Sequence, residues 1–477
     1  MDIQPVKKAS TIRVTIDSLA LGGKGVAKFQ DFTVFVDRGV PGQTVDAFIY
    51  KKKKRFAEAR IANIIHQPPD ILEPPCPHFG MCGGCLHQQI SYEQQLGHKH
   101  RQVIETLQHI GGFRNLDVSP TLPSPDVYHY RNKMEFSFSR QRWLTPDEIQ
   151  SGNPIDRKDF GFGLHVPGRH DKVLDLQLCM LQSDTANAIY RTVKQWALNS
   201  NILPYSTVDH RGYWRFLVIR EGKNTGQLMV NIITSDETEH QSTYALRDEL
   251  LHNYPDITTI VHNINRKKAQ IAFGDEEHIL HGPGYIVERL DDLQFRISAN
   301  SFFQTNTRQG ERLYNIVKDW AAIQTLETVY DLYCGTGSIA LYVARQAKQV
   351  IGIELVPQAI QDAKRNCDLN NIKNCHFIEG DLKDQLRDPA ALADQFGRPE
   401  VIIIDPPRSG MHPSLPARIC ELAPGRIVYV SCNPATLARD LQLLCAEHYA
   451  LQRIQPVDMF PHTPHCEVVA YLELKSN

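Results

Sequence analysis

The stretch TVYDLYCGTGSIALYVA, residues 328–344, decides the fold of the C-terminal part of this chain. It opens with a short apolar run ending at Asp331, turns through Cys334, Gly335, Thr336 and Gly337, and continues as an apolar segment. A strand, a glycine turn and a helix in that order make the first unit of an open α/β sheet. The pattern recurs in QVIGIELVPQAIQDAKRN (349–366), CHFIEGDL (375–382), EVIIIDPPRSG (400–410) and RIVYVSCNP (426–434). Successive units of this kind predict a doubly wound sheet that binds its ligand at the carboxyl ends of the strands.

Upstream the pattern changes twice. Residues 127–297 mix strand-like runs (MEFSFS, WRFLVIRE, GQLMVNIIT, TTIVHNI, FRISA) with a helix over 185–197, which predicts an α+β region with an antiparallel sheet. Residues 10–65 alternate in short β-branched runs punctuated by glycine, the pattern of a small barrel of about 55 residues. Between them lie a Pro-rich edge, QPPDILEPP (67–75), and a segment (92–110) of helical spacing, with Leu96, Val103, Ile104, Leu107 and Ile110 on or near one face. The division expected is residues 1–66, 67–300 and 301–477.

A chain of 477 residues, 42% hydrophobic, is long enough for about three domains at roughly 150 residues each. Its longest apolar runs, Val401–Ile404 and Ile427 to Val430, are far short of the roughly 18 residues that span a bilayer. The N-terminus has no apolar run after its first lysines. We therefore expect a cytoplasmic protein with no membrane partner, and no obligate protein partner is evident. The net charge of −2 is uninformative, but through residue 65 twelve Lys and Arg face six acids, a local +6 suited to a polyanion.

The glycine turn lets a ligand approach the backbone, and Glu354, about 20 residues further on at the end of the next strand, is placed to bind ribose hydroxyls. Asp381 follows the third strand and suits the adenine end. The turn has neither the G-x-G-x-x-G form nor a P-loop lysine, which favours S-adenosylmethionine over a dinucleotide or triphosphate.

Two further strand ends carry chemistry. Pro406 and Pro407 fix the chain as it leaves the sheet and aim the Asp405 carboxylate into the cleft. Ser431-Cys432-Asn433-Pro434 puts a thiol at the same edge. A thiol there suits carbon 5 of uracil, which attacks a methyl sulfonium only after a thiolate adds to carbon 6. A base must then remove the carbon 5 proton, and Glu467, opening the last strand, is the acid in place for it.

Three of the eleven cysteines, Cys76, Cys82 and Cys85, fall within ten residues, and Gly83-Gly84 lets the backbone turn closely about a compact centre. The odd total argues against a disulfide framework. A 4Fe-4S cluster and a zinc ion, the latter with His78 or His87 as nitrogen ligand, both fit this spacing.

FFQTN (302–306), DLYCGTGS, DPPRSG, SCNP and HTPHCE (462–467) together closely resemble the RumA/TrmA-type RNA 5-methyluridine methyltransferases. The resemblance runs through nearly the whole chain. It implies that Cys432 is the nucleophile, Glu467 the base, and that Gln304, Tyr333, Glu354 and Asp405 line the cofactor, with Ser338 and Asp381 also at cofactor-contacting positions. Cys466 stands where the family more often has an aliphatic residue, a change that leaves the carboxylate in place.

The resemblance also implies the fold: a multidomain α/β protein with an N-terminal OB-like barrel (TRAM), a central α+β iron–sulfur domain and a C-terminal Rossmann-like methyltransferase domain. It makes Cys179 the fourth ligand of a 4Fe-4S cluster with Cys76, Cys82 and Cys85. The partner implied is RNA, with 23S rRNA favoured over tRNA because barrel and cluster together go mainly with ribosomal substrates. YHYRNKMEF (128–136) offers further phosphate contacts, or else an exposed hairpin. Two other readings compete: an RNA base amino-group methyltransferase, which needs no cysteine, and an RNA-binding module that has lost catalysis.

Overall fold

A computed structural model of the chain describes residues 6–154, 157–236 and 238–475. In the N-terminal part β1 (Thr11–Leu19), β2 (Gly25–Phe29), β3 (Phe32–Asp37), β4 (Thr44–Lys52) and β5 (Phe56–His66) close a barrel in the order β1-β2-β3-β5-β4. Period-two alternation sends Val14, Ile16, Val34, Val36, Val45 and Ile49 inward. The turn between β4 and β5 leaves residues 51–55, KKKKR, exposed.

The central strands are β6 (Lys133–Ser139), β7 (Arg142–Trp143), β8 (Gly161–Val166), β9 (Arg169–Asp175), β10 (Trp214–Glu221), β11 (Leu228–Thr234), β12 (Thr259–Ile264) and β13 (Glu276–His281). They form one sheet ordered β13-β12-β11-β10-β6-β8-β9-β7. Most pairs are antiparallel, as expected, but β11 and β12 run parallel. Parallel neighbours need a crossover, and the helix His240–Asn253 supplies it. That helix escapes a sequence reading because it buries only Thr243, Leu246 and Leu250 and has no side-chain N-cap. The helix expected at 185–197 is Asp184–Asn199, capped by Ser183.

FRISA departs from expectation. It lies in β15 (Leu293–Ser298), which pairs only with β14 (Tyr285–Leu290). Ile286, Leu290, Phe295 and Ile297 of this ribbon pack into a core under the C-terminal sheet. The C-terminal sheet contains β16 (Thr328–Leu332), β17 (Gln349–Glu354), β18 (Cys375–Glu379), β19 (Val401–Ile404), β20 (Arg426–Ser431), β21 (Tyr449–Val457) and β22 (Glu467–Leu474). Its order is β18-β17-β16-β19-β20-β22-β21. The first five are parallel, and β22 inserts antiparallel between β20 and β21. The chain runs outward from β16 to β18 and returns to β19, so β16 and β19 flank the switch point where open α/β sheets bind ligands.

The helix Tyr92–His109 begins with a capping box, Ser91 and Gln94. Its Val103 and Leu107 are buried against the other face of the C-terminal sheet. Ile110, expected on that face, is exposed at the C-cap, and Gln95, Lys99 and Gln102 are buried instead. Among the described residues no helix is long and apolar enough to cross a membrane.

Candidate active site

The switch point presents the expected cradle. β16 ends at Leu332, and Tyr333 follows it at φ 65, a left-handed conformation uncommon outside glycine. Gly335 follows at φ 54, and a Cβ there would enter open space, so the turn keeps room over its backbone. The Glu354 carboxylate accepts N–H bonds from Gly335 (3.1 Å) and Val356 (2.9 Å), which fixes it across the turn with lone pairs to spare. Asp381 caps the helix Leu382–Gln385 by accepting the Lys383 N–H at 2.9 Å. Burial and the charges of Asp440 and Asp381 push the Tyr333 phenol up to about 12.

Ser338 opens the helix Ser338–Ala344 and is buried, its hydroxyl 3.4 Å from that of Thr336. Gln304 is buried, and its carbonyl accepts from Asn132 Nδ2 at 2.8 Å. Two groups given no role by sequence belong to this set. Asp331 is buried with neither carboxylate oxygen hydrogen-bonded. Tyr314 is buried, hydrogen-bonds Ser338 and feels the charges of Asp405, Asp331 and Glu467. A buried carboxyl beside an open glycine turn fits a ligand that brings hydrogen-bonding groups of its own, as S-adenosylmethionine does.

At the neighbouring strand ends the sheet register brings the chemistry together. Ser431 of β20 pairs with Val468 of β22 in antiparallel sense. Cys432 follows Ser431 directly and Glu467 directly precedes Val468, so this last pair brings the two residues to the same edge of the sheet. Burial pushes Glu467 up to about 8, with the Asp405 carboxylate adding and the Arg408 guanidinium opposing. Burial alone lifts Asp405 to about 7. The Cys432 thiol is raised to about 11, first by burial, then by Glu467, with Arg408 again pulling down. Three acidic groups and one exposed arginine therefore share an electrostatic site. Arg408 sits inside the DPPRSG motif, yet nothing in its spacing marks it as the cation of the pair.

The cysteines fall into a second site. Cys76, Cys82, Cys85 and Cys179 line one cavity of about 390 Å³ together with Arg131 and Lys133. Gly83 is required for its wall, since a Cβ there would stand 2.7 Å from His165 O. The Gly84 N–H donates to Cys82 Sγ at 3.3 Å. Among the described residues no three His, Cys, Asp or Glu side chains converge closely enough to hold a single ion; the thiols ring the cavity instead. His78 lines it too, but its Nε2 accepts the Gln177 N–H at 2.9 Å, so that lone pair is engaged. His87 lies outside the lining.

YHYRNKMEF is not an exposed hairpin at its start, where its aromatic side chains pack inward. Tyr128 stacks on His462 with centroids 4.3 Å apart, Tyr130 is buried with its hydroxyl donating to Pro461 O, and Arg131 lies over the Phe460 ring. These side chains face the segment leading into Glu467.

Residues 225–475 match the family model for tRNA (uracil-5-)-methyltransferase, and residues 5–62 match the TRAM domain. An uncharacterized RNA methyltransferase of Chlorobaculum tepidum is 45% identical over 98% of this chain and 97% of its own. A second, from Bacteroides thetaiotaomicron, is 42% identical over 96% of this chain and 100% of its own. Among solved structures, the Pyrococcus abyssi tRNA (uracil-54, C5)-methyltransferase in complex with S-adenosyl-L-homocysteine aligns with a TM-score of 0.74 at 30% identity, covering 97% of this chain and 100% of that one. The fold and its cradle are those of an S-adenosylmethionine-dependent RNA methyltransferase. Within that class the chain belongs to the RNA uracil-5-methyltransferase family, with a TRAM domain at its N-terminus.

Proposed function

We propose that this chain methylates carbon 5 of a uridine in RNA through a covalent adduct on Cys432, with Glu467 as general base and 23S rRNA as the substrate. The observation that supports the reading is the β20–β22 register, whose last pair, Ser431 with Val468, adjoins Cys432 on one strand and Glu467 on the other. Gln304, Tyr333, Ser338, Glu354, Asp381 and Asp405 hold S-adenosylmethionine in this reading. Bound there, it supplies an electrophilic methyl group.

The chain's own residues do the rest. The Cys432 thiolate bonds to carbon 6, and the electrons of the 5,6 double bond move onto the carbon 4 oxygen, so carbon 5 becomes nucleophilic and takes the methyl. The Glu467 carboxylate then removes the carbon 5 proton. The double bond re-forms as the sulfur–carbon bond breaks, and the thiolate leaves. Duplex stacking hides carbon 6, so the uridine is extruded or already unpaired when it reacts. The exposed lysines of residues 51–55 contact phosphates and supply affinity rather than sequence choice. An RNA substrate is consistent with a cytoplasmic site of action.

Cys76, Cys82, Cys85 and Cys179 are assigned to a 4Fe-4S cluster. The four thiols line one cavity, and four cysteine thiolates are the donor set such a cluster takes. Methyl transfer moves no net electrons, so the cluster's part is structural or RNA-positioning.

A transfer RNA is the second reading, favoured by the Pyrococcus abyssi enzyme, whose whole chain aligns here. Incubation with 23S rRNA and tRNA carrying 5-fluorouridine separates the two, because fluorine cannot leave as a proton. The true substrate accumulates a denaturation-resistant conjugate. A conjugate on neither, with methyl transfer intact in Cys432→Ala, overturns the scheme in favour of amino-group methylation.

A further inference from the structure

Residues 458–466 connect β21 to β22 without helix or strand of their own, so their backbone groups must find partners elsewhere. Four successive carbonyls do so on separate parts of the molecule. Met459 O accepts from Asn306 Nδ2 (3.1 Å), Phe460 O from Lys99 Nζ (3.1 Å) and Pro461 O from the Tyr130 hydroxyl (3.2 Å). His462 O accepts both the Leu86 and His87 N–H groups. The His462 N–H donates to Gln95 Oε1 at 2.8 Å, and the residue is held at φ 65, a conformation uncommon outside glycine.

Two of these latches come from one helix face. Gln95 and Lys99 stand one turn apart on Tyr92–His109, at positions where helical periodicity calls for apolar residues. The Lys99 ammonium lies 2.6 Å from Asp458 Oδ1, and both side chains are at most 2% exposed. A hydrophobic pair of similar volume generally serves stability as well as a buried ion pair does. What the charged pair adds is a fixed geometry at the entry to the Glu467 segment.

We propose that Lys99 and Gln95 are positioning residues for the general base, holding residues 458–462 so that Glu467 meets carbon 5 after methyl transfer. This rests on the roles given above to Cys432 and Glu467. The base acts only after the methyl has moved. Loosening its segment therefore slows proton removal and adduct release while sparing the first methyl transfer.

The test uses full-length enzyme with 23S rRNA and tRNA transcripts bearing tritium at uridine carbon 5, together with methyl-labelled S-adenosylmethionine. In Lys99→Met, single-turnover methyl transfer stays within about threefold of wild type. Tritium release falls at least about tenfold, since a ~1 Å misplacement of a reacting group costs on the order of 10²-fold. A methylated enzyme–RNA conjugate then accumulates on RNA without fluorine. Equal loss of both steps, or loss of neither, overturns the proposal. If Lys99→Met does not fold because Asp458 is left unpaired, Gln95→Leu strands no charge. The same two rates are then measured in that variant, where a selective loss of tritium release supports the positioning role and an equal loss or none overturns it. Wild-type enzyme that methylates RNA without releasing tritium sinks the reading of the site itself; release by the wild type with no split in the variants sinks only the positioning role.

Discussion

The thiol of Cys432 and the four thiols around the cavity are the same functional group in two settings. Cys432 directly follows the strand β20, and the charged groups acting on it are the carboxyls of Glu467 and Asp405 and the Arg408 guanidinium. The other four are carried by irregular segments, line a common cavity and have one another as neighbours. Topology rather than residue type separates the thiol proposed to meet substrate from the thiols that border one cavity.

The strongest way to break that contrast is to exchange the losses. Cys432→Ala lowers turnover by about 10⁴-fold or more, as removal of a covalent nucleophile does, and leaves iron content and the melting temperature near wild type. Cys179→Ser does the reverse: iron content drops and thermal stability falls, while the folded fraction still forms the 5-fluorouridine conjugate. Matching effects of the two substitutions on iron, or on the conjugate, would erase the distinction.

Glu467→Gln sharpens it on the reactive side. Turnover falls about 10²- to 10⁴-fold for want of a general base, and conjugate appears on unfluorinated RNA. Stability moves the other way. Burial holds Glu467 up at about 8, above its unfolded value, so the folded state binds more protons and loses stability as pH rises from the unfolded pKa through 8. Glutamine removes that loss, raising stability at pH 8 by on the order of 1–3 kcal/mol in a pH series of thermal melts.

Arg408→Gln has a smaller effect. Arg408 lowers both Cys432 and Glu467 from an exposed position, so its loss shifts the alkaline rise of the rate to higher pH and costs roughly threefold to tenfold at pH 7. The pH–rate profile reads both. Neutralising Lys51, Lys52, Lys53 and Lys54 to glutamine acts at a distance from either thiol setting. Apparent affinity for RNA weakens and its logarithmic salt slope drops by up to about 0.9 per lost phosphate contact, with saturated turnover unchanged.

Much of this is legible in the residues themselves. The glycine turn at 334–337 and the strand ends at Glu354, Asp405 and Cys432 announce the parallel sheet and its ligand edge, because each strand and its helix are adjacent in sequence. The insertion of β22 between β20 and β21 is not local, so sequence offers Glu467 only as an acid opening the last strand, without the neighbouring Ser431–Val468 pair that brings its strand to the edge beside Cys432. The helix Tyr92–His109 can be foreseen, but its apolar pattern passes over Gln95 and Lys99, whose partners lie far away in sequence. Sequence places the strand β15 in the central sheet because alternation says which residues are buried, not against what.

The threading of β22 bears on how the enzyme comes into being. β21 precedes β22 in the chain yet lies outermost, so the edge of β20 is closed only once the last strand lies between them. Until then β20 is a raw edge, open to the wrong partner strand. On the roles proposed above for Cys432 and Glu467, a molecule caught then would have its sulfur in place and no means of letting go of a captured nucleotide. Completion of the sheet would on that reading also keep an immature enzyme from becoming a trap for its own substrate.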